Sequence, residues 1–172
     1  MNNLIDWDSV INHISTQSGV VVNTDLEKCR ADVPGYNEIH LMWKQAKFNP
    51  AAIKWINYYP GTHFDNEITE TIAAYLDLNI HRSWISRIDP GYFAPLHWDV
   101  DDNETEYLKK GPIVRYSCFI EKPTFGHIFS IGDICFYNQP QGTLYKWDNY
   151  REWHSGINAG MTPKYMFHLL GY

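Results

Sequence analysis

The 172-residue chain predicts a mainly β, α+β fold, a jelly-roll β-sandwich with helices gathered at its amino-terminal end. Three observations carry this expectation. Apolar residues recur at helical spacing before about residue 80. Beyond it, short runs rich in β-branched and aromatic residues alternate with turn signals. Aromatic residues make up 16% of the chain, with seven Trp and twelve Tyr, and such rings suit pleated surfaces and cavity walls.

Leu4, Trp7, Val10, Ile11 and Ile14 predict a first helix. Ile39, Met42, Trp43 and Ala46 predict a second after the Pro34-Gly35 turn. Asn49 before Pro50 pairs a capping side chain with a first-turn proline, and predicts a short helix through Trp55 and Ile56. Asn66 precedes Ile68, Ile72, Tyr75 and Leu76, a further helix ending near Asn79. Strands are expected at 80–88, closed by Asp89-Pro90-Gly91, and at 92–98, 113–120, 127–130, 134–137, 143–147, 152–157 and 164–170. About eight short strands in some ninety residues is a jelly-roll or small-barrel count. The expected organisation is one domain, 1–172, with a mainly helical part at 1–79 buttressing a β core at 80–172.

Apolar residues at 44% and charged residues at 20% argue against disorder. A net charge of −6, with no basic run longer than Lys109-Lys110, disfavours a nucleic-acid partner. Cys29, Cys118 and Cys135 form no CxxC pair, which argues against a zinc ribbon and a disulfide framework. Cys118 and Cys135 stand in apolar strand-like runs, where buried inert thiols are expected. The amino terminus has no basic stretch leading into an apolar block, and no run approaches the roughly 18 apolar residues of a membrane span. A soluble, cytoplasmic protein without a membrane partner is therefore expected.

Chemistry concentrates in His97-Trp98-Asp99. In a strand, residues i and i+2 face one side, so both polar side chains reach one point. An imidazole and a carboxylate, completed by a third ligand, make the facial triad of non-heme iron(II) sites, which leaves coordination positions open. Residues 86–99 read as strand, Pro-Gly turn and strand, a hairpin that sets the pair near the mouth of a barrel. The third ligand must be distant in sequence, and His154, in a late strand, meets that requirement; His127 is its main rival. His168 shares a strand face with Lys164 and Met166, as a site-lining or a core histidine. Asp101, Asp102, Glu104 and Glu106 read as a solvated loop whose position also permits substrate gating. Trp98, Trp147 and Trp153 are candidates for pocket walls or for packing.

Residues 82–170 resemble the 2-oxoglutarate/iron(II) oxygenases, nearest to the aspartyl/asparaginyl β-hydroxylase-like branch, which includes some proline hydroxylases. Four blocks carry the resemblance. They are the Pro-Gly turn leading to His97-x-Asp99, the strand around Val114-Arg115-Tyr116-Ser117, the strand at 142–145, and His154-Ser155-Gly156-Ile157-Asn158 with Lys164 beyond. Residues 1–80 match no family by this reading. The resemblance implies a cupin-like double-stranded β-helix using Fe(II), 2-oxoglutarate and O2, with His97, Asp99 and His154 as metal ligands. It also implies hydroxylation of a small molecule or a peptide side chain, with release of succinate and CO2. Lys164 stands ten after His154, where the family usually has an arginine that binds the far carboxylate of 2-oxoglutarate. Lysine replaces that two-point contact with a point charge. Arg115 and Ser86 stand where the branch places residues that help hold the co-substrate, so Arg115 is a second candidate for the carboxylate contact. Ser117 replaces the branch's usual histidine, and the stretch between His97 and Arg115 is longer than in the family. Two other readings are a cupin-fold metal enzyme without 2-oxoglutarate and a non-catalytic β-sandwich module. Asp99 argues against the first, since such enzymes usually rely on three histidines. The joint presence of His97, Asp99, His154 and Lys164 argues against the second.

Overall fold

The computed structural model describes residues 4–23, 35–59, 66–99, 108–147, 149 and 151–172. Cys29, His63 and the acidic run Asp101, Asp102, Glu104 and Glu106 lie outside the described residues. The helices among them are α1 (Trp7–Ser15), α2 (Tyr36–Gln45) and α3 (Asn66–Leu76). The strands are β1 (Val20–Asn23), β2 (Lys54–Tyr58), β3 (Ile80–Ile88), β4 (Phe93–His97), β5 (Val114–Phe119), β6 (His127–Ile131), β7 (Ile134–Tyr137), β8 (Tyr145–Lys146), β9 (His154–Asn158) and β10 (Lys164–Gly171).

The strands form two antiparallel sheets, ordered β1-β2-β3-β10-β5-β8 and β4-β9-β6-β7. From β3 onward the chain passes back and forth between them, so four strands of each sheet come from one continuous segment. Two four-stranded antiparallel sheets wound this way are a jelly roll, the expected fold. Each of the eight strands expected after residue 80 is present, with ends shifted by at most two residues. The hairpin expected over residues 86–99 is instead a corner between the sheets, since β3 and β4 belong to different sheets and do not pair. It turns through Asp89-Pro90-Gly91-Tyr92, where Tyr92 N–H donates to the Asp89 carbonyl at 3.1 Å. Gly91 has φ +81°, the left-handed conformation that the third position of a type II turn requires.

The amino-terminal part departs from the expectation at two places. Asn49 caps as expected, accepting from Ala51 N–H at 3.1 Å, but the helix is a single 3-10 turn, Pro50–Ala52. Trp55 and Ile56 lie in β2 instead, because the open edge of β3 offers the segment Lys-Trp-Ile-Asn-Tyr a ladder, Ile56 opposite Arg87 and Asn57 opposite Ser86. Val20–Asn23 then pairs with β2 as β1, a strand too short to stand out in the sequence. The amino-terminal part therefore buttresses with helices and also widens the larger sheet.

α1 starts at Asp6, whose carboxylate accepts from Ser9 N–H at 3.1 Å. Its apolar stripe, Trp7, Val10 and Ile14, is buried with Ile72 of α3 against Ile85, Cys118, Phe167 and Leu169 on the outer face of the larger sheet. β10 lies between β3 and β5 and is buried along its whole length. Phe167 and Leu169 turn to the helices, while Lys164, Met166, His168 and Leu170 line the cavity between the sheets. Cys118 is buried as expected, and burial, with the Glu121 carboxylate, pushes its thiol pKa far up. Cys135 is exposed, contrary to expectation, because β7 is the open edge of the smaller sheet. No helix among the described residues is long and apolar enough to cross a membrane.

Candidate metal centre

A bulge in β4 aims the first histidine. β4 is the edge strand of its sheet, a position that tolerates Pro95. Ala94 stands opposite Gly156 and His97 opposite His154, so Pro95 and Leu96 together face the single residue Ser155. Without this extra residue, the odd interval from Ala94 to His97 would turn their side chains to opposite faces. With it, Ala94, His97, His154 and Gly156 all line the cavity. Asp99 lies beyond the end of β4 rather than within a strand, yet its carboxylate turns to the same point.

The candidate ligand atoms of His97, Asp99 and His154 lie within 4.8 Å of one another. His97 Nε2 is 3.7 Å from Asp99 Oδ1, and His154 Nε2 is 3.6 Å from Asp99 Oδ2. His97 Nδ1 meets the Pro95 carbonyl at 2.5 Å, and His154 Nδ1 meets the Glu152 carbonyl at 3.0 Å. A carbonyl only accepts, so each Nδ1 carries the hydrogen and each Nε2 turns a lone pair toward Asp99. That is the tautomer a metal-binding histidine needs, held by the backbone. Burial holds both imidazoles below the ordinary histidine range against the opposing Asp99 charge, so both are neutral. Enclosure works against the Asp99 charge too, but the Arg115 guanidinium outweighs it and keeps the carboxyl well below its usual range.

Aromatic packing fixes these groups. The Arg115 guanidinium is ion-paired with Asp99 Oδ2 and lies 3.9 Å from the centre of the Trp147 ring. Trp147 is buried and meets His154 edge-on at 4.6 Å. On the other side Trp55 stacks on His97 at 5.8 Å. Trp43 approaches His97 edge-on, and its indole N–H donates to the Leu96 carbonyl at 2.8 Å.

The cavity behind this cluster measures about 150 Å³. Lys164 lines it and is 1% exposed, with Nζ lying over the rings of Phe129 and Phe119 at 5.4 and 5.6 Å. No carboxylate among the described residues forms an ion pair with it. Burial pushes the ammonium pKa down to about 7, opposed only by Glu121, whose carboxylate is engaged by His127 and by Tyr165 N–H. Gly156 leaves the ammonium accessible from the cavity. A Cβ there would lie 2.8 Å from Ile88 Cδ1 and 3.2 Å from Lys164 Nζ.

Of the residues singled out in the sequence, His97, Asp99, His154 and Arg115 cluster together, and Ser86, Lys164 and His168 line the same cavity. His127 stands apart, buried between Glu121 at 2.7 Å and the Thr162 carbonyl at 2.9 Å. Trp98 lines the cavity, and Trp153 packs edge-on against it at 4.4 Å. Sequence reasoning missed Trp43, Trp55, Asn57 and Trp84, which also line it. The alternation in Lys54–Tyr58 was the available signal for Trp55 and Asn57, hidden once that segment was read as helix. Asn57 Oδ1 is buried with no hydrogen-bond partner among the described residues.

No family model matches the chain, and no curated protein matches it. Among solved structures, a viral collagen prolyl hydroxylase from Paramecium bursaria Chlorella virus-1 in its 2-oxoglutarate complex is similar at 12% identity and a TM-score of 0.48, over 91% of this chain and 97% of that one. A prolyl hydroxylase from Trichoplax adhaerens, in complex with a hypoxia-inducible-factor peptide, is similar at 11% identity and a TM-score of 0.47, over 99% and 94%. A cupin 2 conserved barrel protein from Rhodopseudomonas palustris is similar at 13% identity and a TM-score of 0.35, over 69% and 59%.

Proposed function

We propose that this chain is an Fe(II)- and 2-oxoglutarate-dependent oxygenase that hydroxylates a small molecule or a peptide side chain. One observation carries the reading. Two neutral histidines and a carboxylate converge with both Nε2 lone pairs free, and the same cavity holds a buried ammonium with no ion-pair partner among the described residues. The donor set suits a divalent ion such as iron and leaves positions open for other ligands. The unpaired ammonium suits a dianion that reaches from the metal into the cavity.

When bound, iron(II), 2-oxoglutarate and O2 supply the oxidising power, with succinate, CO2 and a hydroxylated substrate as products. The protein's own part is binding and orientation. His97, Asp99 and His154 would hold the metal, and Arg115, ion-paired with one Asp99 oxygen, fixes the carboxylate beside the two imidazoles. Because Arg115 is engaged in this way, Lys164 is assigned the far carboxylate of 2-oxoglutarate, with Ser86 beside it. Trp43, Trp55 and Trp147 pack around the two histidines and exclude water from that side. The proposed affinity to the aspartyl/asparaginyl β-hydroxylase-like branch rests on four sequence blocks, the Pro-Gly turn leading to His97-x-Asp99, the strand around Arg115, the strand at 142–145, and the block from His154 to Lys164.

The test is succinate formation from 2-oxoglutarate by iron-loaded protein in air. Wild type and His127→Gln are expected to form succinate, and His154→Ala is not. Loss in His127→Gln with retention in His154→Ala would overturn the ligand assignment.

A further inference from the structure

Four side chains on the larger-sheet side of the cavity are joined end to end. Trp147 Nε1 donates to Ser117 Oγ at 3.1 Å. Ser117 Oγ lies 2.9 Å from His168 Nδ1, and His168 Nε2 lies 2.8 Å from Ser86 Oγ. Trp147, Ser117 and His168 are all buried, Ser117 completely. Trp84 stacks on the His168 ring at 5.0 Å and fixes its plane.

The donor inventory gives this chain a direction. An indole N–H only donates, so Ser117 Oγ accepts from Trp147. The buried Ser117 hydroxyl hydrogen then has one acceptor among the described residues, His168 Nδ1. A neutral imidazole that accepts at Nδ1 carries its hydrogen on Nε2, so His168 donates to Ser86 Oγ. Burial, with Arg115 and Lys164 nearby, keeps His168 neutral. Ser86 Oγ is therefore already an acceptor, and its own hydrogen is left to point into the cavity that it lines. The opposite tautomer would leave the hydroxyl hydrogen of fully buried Ser117 unpaired.

Ser86 stands opposite Met166 on β10, two residues from Lys164, and both 86 and 164 line the cavity. We infer that Trp147, Ser117 and His168 form a relay that fixes the Ser86 hydroxyl as a donor, beside the Lys164 ammonium, to the far carboxylate of 2-oxoglutarate. His168 is thus a positioning residue for the co-substrate and not a metal ligand. The inference rests on the oxygenase reading above. It also accounts for Ser117 at this position, since the relay needs a group there that accepts from an indole and donates to an imidazole.

The test is calorimetric titration of the Mn(II)-loaded protein with 2-oxoglutarate and with 2-oxobutanoate, which keeps the ketoacid end and lacks the far carboxylate. Ser86→Ala is expected to weaken 2-oxoglutarate binding about 10-fold, the usual effect of one hydrogen bond to a charged group. His168→Phe should match that loss, and the double variant should lose no more than either single one. Affinity for 2-oxobutanoate should be unchanged in all three. If His168→Phe does not fold, Ser117→Ala carries the test, with the same selective loss expected. Equal weakening of both ketoacids, or losses that add in the double variant, would overturn the relay. Wild-type protein that binds Mn(II) but neither ketoacid would overturn the oxygenase reading itself, and the relay with it.

Discussion

If Lys164 takes the far carboxylate of 2-oxoglutarate as proposed, co-substrate binding depends on pH in a direction that follows from its burial. Its ammonium lies over the rings of Phe119 and Phe129, and burial lowers its pKa to about 7. A carboxylate binds the charged form only, so binding requires a proton on Lys164. Affinity for 2-oxoglutarate is then highest below about pH 7 and falls as pH rises, approaching tenfold per unit. Between about pH 6 and pH 9 the expected loss is roughly 100-fold. Titration calorimetry of the Mn(II)-loaded protein in buffers of different ionisation enthalpy reads both the affinity and a proton taken up near pH 8. Lys164→Arg keeps its charge throughout and should flatten the profile. A wild-type affinity that does not change over this range, or rises with pH, would rule out the buried Lys164 ammonium as the carboxylate contact. The same burial has a stability consequence of opposite sign to that of a paired lysine. Because the folded pKa is depressed, the penalty is fully present below about pH 7 and fades as pH rises toward the unfolded value near 10.5. Lys164→Met should therefore stabilise the ligand-free protein at pH 6, by at most ~5 kcal/mol, while abolishing 2-oxoglutarate binding.

Arg115→Met removes the partner of the second Asp99 oxygen, and metal affinity should fall about 10- to 100-fold in a competition assay with a chelator dye. Once metal is saturating, its effect on 2-oxoglutarate binding should be smaller than that of Lys164→Ala; the reverse order would exchange the roles given to the two cations. Gly156→Ala sets a methyl group against Ile88 and Lys164, so it should lower urea stability by about 1–3 kcal/mol. Pairing it with Ile88→Val should restore stability without restoring co-substrate binding; full recovery of both would deny Gly156 its part in exposing the ammonium. Phe167→Ala, at the fully buried contact between β10 and α1, should cost about 3–5 kcal/mol by urea unfolding and leave the metal site intact in the surviving folded fraction.

The jelly roll was legible in the sequence because its strands are short, apolar and separated by turn residues whose conformations are demanding, as at Asp89-Pro90-Gly91. The amino-terminal strands were not. Lys54–Tyr58 follows a genuine capping signal at Asn49-Pro50, and only the free edge of β3, a tertiary feature, draws it into a sheet. His97 and Asp99 were found as an i, i+2 pair, but that spacing is not what unites them. The bulge at Pro95 and Leu96 turns His97 inward, and Asp99 comes in from beyond the strand. Such register shifts depend on the partner strand, which no local window contains. Cys135 was misread for the same reason, since an apolar run does not reveal that its strand is an edge. The choice between Arg115 and Lys164 was open in the sequence because both are cations near the co-substrate blocks. The structure separates their surroundings, one ion-paired with Asp99 and the other enclosed by rings without an anion.

On the proposed function, one cavity holds both a metal and a ketoacid. Anaerobic addition of iron(II) and 2-oxoglutarate should produce a weak visible charge-transfer band in wild type that needs both components. The band should be lost in His97→Ala and in Asp99→Ala. Wild-type protein that gives no band and binds neither iron nor 2-oxoglutarate would rule out the oxygenase function.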